Sequence, residues 1–203
     1  MKSKSQPALS QDNLLLKRGI NLERFTLGWN VFGIVVLAFA AYAAHSVSLT
    51  GFALDSLIEI GASTVVLWEL AATNKDRQAR ALKLIAYAFI TLAIYIAVQS
   101  TLSLVSGAHS NHSRVGVAWT AITAVVMFTL AASKAKTGRA LDNPVLITEG
   151  RVTFIDGLLA TAVLLGLILN ALFGTWWVDP LAGFVIVFYG YKEARAILHE
   201  PAH

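Results

Sequence analysis

Three carboxylates stand inside long apolar runs of this 203-residue chain: Asp55, Glu59 and Asp156. The first two belong to Gly51-Phe-Ala-Leu-Asp55-Ser-Leu-Ile-Glu59-Ile-Gly-Ala-Ser-Thr-Val-Val-Leu-Trp68. On a helix, a spacing of four stacks both acids on one face. The run approaches the length that crosses a bilayer core, where each ionisable group costs about 2.5 to 3.5 kcal/mol on an insertion scale. Two such groups side by side need an offset, and a bound cation or protons is the simplest one. The competing reading pairs each acid with a buried amide or hydroxyl. No Lys or Arg stands deep in any apolar run, so the sequence offers no internal salt bridge. Acids without a basic partner are then either protonated or bound to a cation. Oxygen ligands from two helices, completed by water, suit a divalent metal.

Composition says what must position these acids. The chain is 56% hydrophobic and 14% charged, with a mean hydropathy of +0.64. Soluble domains carry about 25% charged residues. The deviation predicts an all-α membrane protein, a bundle of six transmembrane helices. The runs are Phe25 to Ala44, 50–71, Leu82 to Val105, Val115 to Ala132, Val152 to Phe173 and Val178 to Ala194. Residues 1–24 read as a polar, basic tail followed by a surface helix, 25–198 as the membrane domain and 199–203 as a tail. Ser133 to Thr148 reads as a basic connector. All but Arg114 of the sixteen Lys and Arg residues lie in the N-terminal tail, the two even-to-odd connections or the C-terminal end. By the positive-inside rule both termini are cytoplasmic. The net charge of +4 therefore reads as a topology signal and not as a nucleic-acid surface. The chain has no cysteine, which removes thiolate sites and disulfides.

With those residues in view, the chain resembles a known family. Asp55-Ser-Leu-Ile-Glu59-Ile-Gly-Ala-Ser63 is similar to the second transmembrane helix of the cation diffusion facilitator metal transporters. Arg151-Val-Thr-Phe-Ile-Asp156 resembles their fifth helix, and Trp176-Trp-Val-Asp179-Pro-Leu-Ala-Gly183 the start of their sixth. The resemblance covers residues 15–198. It implies that Asp55, Glu59 and Asp156 bind the transported metal. The family's fourth ligand falls at Val152 here, so only three match; Asn30, Glu149, Thr153 or water are the candidates to complete the set. The resemblance is to the short form of the family, without a cytoplasmic C-terminal domain. In that form the membrane helices supply any homodimer contact.

No nucleophile–base pair, phosphate-cradling loop or nucleotide motif is present, so no enzyme activity and no cofactor are expected. The expectation is a divalent metal cation transporter that exports its cargo from the cytoplasm by proton antiport. It is placed in the bilayer of a bacterial inner (plasma) membrane. Zinc is the commonest family substrate, while an all-oxygen site also suits manganese and iron. The alternatives are a metal-binding membrane sensor or scaffold without transport, and a passive cation channel. His109 and His112 read as a solvated outer loop. Glu69 reads as a helix-end or interface residue, and Gly157, Gly166, Gly183 and Gly190 as close-packing positions.

Overall fold

The computed structural model describes residues 6–44, 47–72, 74–107, 113–175 and 177–199. Among them are six helices and no strand: α1 (Gln6–Ala44), α2 (Val47–Leu70), α3 (Lys75–Ser106), α4 (Arg114–Leu141), α5 (Pro144–Phe173) and α6 (Val178–His199). The first five are long and apolar enough to cross a membrane. The burial pattern is inverted relative to a water-soluble bundle. Large apolar side chains such as Val35, Phe39, Ile94, Val98, Val125 and Leu172 are exposed. Glu23, Asp55, Glu59, Lys134, Glu149 and Asp156 are buried. An apolar exterior around a polar interior suits a solvent of hydrocarbon, where helices satisfy their own backbone groups.

The helices pair as α1 with α2, α3 with α6 and, most closely, α4 with α5. Further contacts of α1 with α4 and of α2 with α5 close a four-helix arrangement around the buried charges. Trp29 of α1 stacks on Trp119 of α4 at 4.9 Å between ring centroids, and its indole N–H donates to Thr123 at 3.3 Å. Helix ends are set by ordinary capping chemistry. Asn74, Ser113 and Asn143 each accept a backbone N–H of the first turn that follows, and Gly107 and Gly174 close α3 and α5 in the left-handed conformation.

Several expected boundaries differ: α3 begins at Lys75 and not at Leu82, and α6 continues past Ala194 to His199. The surface helix and the first apolar run form one continuous helix, α1, from Gln6. The segment expected as a connector, Ser133 to Thr148, is mostly helix. Helix α4 runs on to Leu141 and α5 begins at Pro144. The turn between them consists of Asp142, left-handed at φ 51°, and Asn143, the N-cap of α5. Hydropathy reports the lipid-facing length of a helix and not its end, so the charged last turns of α4 fall outside its apolar run. The tight turn brings the helices into close contact. A β-carbon on Gly138 would lie 2.8 Å from the backbone nitrogen of Ile147, and one on Gly150 3.0 Å from that of Ala135. Glycine is what permits this approach.

A buried charge cluster as the candidate functional site

On α2 the buried face carries Asp55, Glu59, Ser63 and Val66, spaced by three or four. On α5 it carries Glu149, Thr153, Asp156 and Ala160 at the same spacing. These faces meet, and Asp156 lies close enough to Asp55 and Glu59 for their charges to act on it. The structure thus gathers the three acids singled out in the sequence. Asp55 Oδ1 and Glu59 Oε2 are buried acceptors with no hydrogen-bond partner. Buried polar atoms in folded proteins are nearly always partnered, and here unpartnered carboxylate oxygens occur on Glu23 and Glu149 as well as on Asp55 and Glu59. Among the described residues, however, no group of three or more Asp, Glu or His side chains is already drawn around one point that could hold a metal ion.

Lys134 explains part of that geometry. It is 0% exposed, and its ammonium lies 3.0 Å from Glu23 of α1, 3.2 Å from Glu149 and 4.0 Å from Glu59. The sequence reading that no internal salt bridge is available is therefore corrected. Lys134 sits beyond the last apolar residue of its run but still on α4, two turns before the helix ends. Met127, Leu130, Ala131, Lys134, Thr137 and Gly138 continue one buried face. The lysine stem packs along that face and delivers the charge to the interior.

Thr153 links this knot to the acids. Lys134 Nζ donates to Thr153 Oγ1 at 2.9 Å, and the Thr153 hydroxyl donates to Glu59 Oε1 at 3.1 Å. An ammonium can only donate, so Thr153 must accept from it and aims its one proton at Glu59. The remaining candidate ligands are used as follows. Glu149 is paired with Lys134. Asn30 is buried, and its amide donates to the carbonyl of Thr26 on its own helix, 3.0 Å away. Val152 is buried and apolar.

Glu23 and Lys134 are the residues that sequence reasoning missed. The signal for Glu23 was present: Glu23, Thr26 and Asn30 form a buried polar stripe at helical spacing that begins before the first apolar run. Glu69 stands at the helix end, as read, but it is fully buried and not open to water. It is buried near the end of α2 and accepts from the Asn143 amide at 3.0 Å, which ties α2 to the α4–α5 turn. His45, His109, His112 and His203 lie outside the described residues, as does the side chain of Asp179.

On the far side of the acids from Lys134, a pocket is lined by Gly51, Phe52, Tyr95, Gln99, Ser100 and Leu159. Phe52 precedes Asp55 by one turn, and Leu159 follows Asp156 by one turn. The Tyr95 hydroxyl is buried there without a hydrogen-bond partner, and it lies close enough to Asp55 to feel its charge. One side of the trio thus faces a pocket, the other an ion-pair knot.

Residues 83–201, more than half of the chain, match the family model of the cation efflux transmembrane domain. Glu149, Thr153, Asp156 and Lys134 fall inside that match, and the α2 pair precedes it. The chain is also similar to transmembrane protein 163 of Xenopus laevis, with 25% identity over 171 residues. That similarity covers 78% of this chain and 61% of the relative, so the chain spans less than two thirds of the relative's length.

Proposed function

Because this chain belongs to the cation efflux family, we propose that it is a membrane transporter of a divalent metal cation, with Asp55, Glu59 and Asp156 as the cargo's ligands. The observation that carries this reading is the meeting of α2 and α5, which sets three buried acids together and leaves Asp55 Oδ1 and Glu59 Oε2 without partners. Zinc is the first candidate cargo, since it accepts carboxylate ligands, and manganese and iron(II) are the next. Carboxylates must shed protons to take a metal, so cation binding and proton binding compete at the same oxygens. Exchange of metal for protons follows from that competition. The positive-inside pattern supports cytoplasmic termini. It orients the chain and leaves the direction of transport to the flux assay, with export against returning protons as the expected outcome.

The test is zinc flux into proteoliposomes with and without a pH gradient, for wild type, Asp55→Asn, Glu59→Gln and Asp156→Asn. Saturable, gradient-driven flux is expected in wild type alone. Undiminished flux in the three variants rejects the site, and flux indifferent to the gradient rejects the exchange.

The contact between Lys134 and Glu59 favours a second reading. A protein whose site already contains a cation could bind metal as a sensor or scaffold without passing it on. That reading predicts saturable zinc binding with no flux in the same vesicles.

A further inference from the structure

Lys134 is a cation built into the bundle interior, and it touches one of the three acids assigned to the cargo. Its ammonium is shared among Glu23, Glu149 and Glu59, and its hydrogen bond to Thr153 fixes the hydroxyl that holds Glu59 Oε1. Glu59 Oε2 has no partner. Glu59 is therefore held by one oxygen and unsatisfied at the other, within reach of the resident ammonium and of the charge of the two aspartates. Among the described residues the trio is not drawn around a single point, and one Glu59 oxygen is turned toward Lys134 and Thr153.

We propose that Lys134 is a tethered counter-cation that competes with the divalent cargo for Glu59, acting as a positioning residue through Thr153. In the cargo-free state Glu59 leans toward Lys134 and Thr153. In the loaded state it turns to Asp55 and Asp156, while Lys134 stays neutralised by Glu23 and Glu149. The ammonium remains charged throughout. Its role is to give Glu59 somewhere to go when the cargo leaves, which weakens binding and speeds release. Both states keep Lys134 paired, because two of its acids are never asked to bind cargo. A purely structural ion pair needs only one acid, and here three helices converge on one ammonium. The proposal rests on the assignment of cargo to Asp55, Glu59 and Asp156.

The test uses full-length protein in detergent, with zinc alone as the probe, followed by flux in proteoliposomes. Lys134→Gln combined with Glu149→Gln removes one charge of each sign and so leaves the net charge of the knot unchanged. If the lysine withdraws Glu59 for most of the time, removing it tightens zinc binding by about tenfold, since apparent affinity falls with the fraction of competent protein. In flux, KM and maximal rate should fall together, because release is now slow. Lys134→Arg keeps the charge and should restore both toward wild type. Thr153→Val is isosteric and breaks the link without touching a charge. It should shift affinity the same way by about threefold, a partial loss of the same population bias, and it serves if the double variant does not fold. Unchanged or weaker zinc binding in Thr153→Val, or in the folded double variant, overturns the proposal. Asp55→Asn in the wild-type background separates this outcome from failure of the site itself. Lost zinc binding there keeps the site, whatever Lys134 does; undiminished binding removes the site and this proposal with it.

Discussion

The buried charges divide into two groups that use the same chemistry differently. The knot of Glu23, Lys134 and Glu149 contains its own cation, with oxygens 3.0 and 3.2 Å from one ammonium. Among the described residues Asp55 and Asp156 have no ammonium beside them, while unpartnered oxygens occur in both groups, on Asp55 in one and on Glu23 and Glu149 in the other. Glu59 stands between them and touches both. Both groups are in the bundle interior, so burial alone does not separate them. On the proposed function, what separates them is whether the fold supplies the counter-charge or leaves it to a guest. The first arrangement should be read out as stability and the second as ligand binding.

The comparison breaks most visibly at the lysine. Removing one partner of a buried ion pair leaves an uncompensated charge and costs about 3 to 5 kcal/mol. Lys134→Met leaves three acids facing each other and should lower thermal stability in detergent by that order. Asp55→Asn removes a charge that has no ammonium beside it, so in metal-free buffer it should cost less than Lys134→Met, which strands the partners of a buried ion pair. Equal losses in the two variants contradict the division.

Zinc reads the other group. A ligand that binds the folded state alone stabilises it by about 2.7 kcal/mol at one hundred times Kd. Wild type should gain that stabilisation on adding zinc and lose it on chelation. Asp55→Asn and Asp156→Asn should show none of it, whereas Glu23→Gln should be less stable overall yet keep a zinc-dependent gain. A zinc response that vanishes in Glu23→Gln but survives in Asp156→Asn would exchange the roles of the two groups.

Packing sharpens the contrast without touching a charge. Gly138 sits where α4 and α5 come closest, and overpacking a close contact costs about 1 to 3 kcal/mol. Gly138→Ala should pay that cost, because the neighbour is the backbone of Ile147 and not a movable side chain. Gly61 on α2 has nothing within 4 Å of its missing β-carbon. Gly61→Ala should gain about 0.5 to 1 kcal/mol, the helical preference of alanine over glycine. Unfolding in detergent checks both signs.

Much of this architecture was legible in the sequence. The apolar runs gave the six-helix bundle, and the spacing of Asp55 and Glu59 placed them on one face. The motif on α5 brought Asp156 to them. Lys134 was not legible for a specific reason. A run-based reading stops where hydropathy falls, and Lys134 lies just past that point on a helix that continues to Leu141. Its side chain is long enough to return a charge to the interior from there. Glu23 was hidden in the same way at the other end of a run, since α1 begins at Gln6 and its polar stripe starts before its apolar one. Charges at the margins of apolar runs are thus where such a reading is least informative. Helix phase, followed through the margin, recovers both.

The smallest expected effect is on zinc affinity, at the residue that holds the knot in register. Asn143 accepts the backbone N–H of Leu146 at 2.9 Å and donates to Glu69 at 3.0 Å, so one side chain caps α5 and ties it to α2. Loss of an N-cap costs about 1 kcal/mol, and an unsatisfied buried acceptor adds about 1 to 3 kcal/mol where water cannot replace the donor. Asn143→Ser keeps the cap and drops the tie, and Asn143→Ala drops both. The step from serine to alanine should therefore cost about 1 kcal/mol, the value of the cap. Neither variant touches the knot or the acids, so zinc affinity should stay within about twofold of wild type, a shift under 0.5 kcal/mol. A larger change in affinity would mean that the turn between α4 and α5 sets the position of Lys134 more tightly than the glycine contacts do. The division between a stability group and a binding group would then be only as firm as that turn.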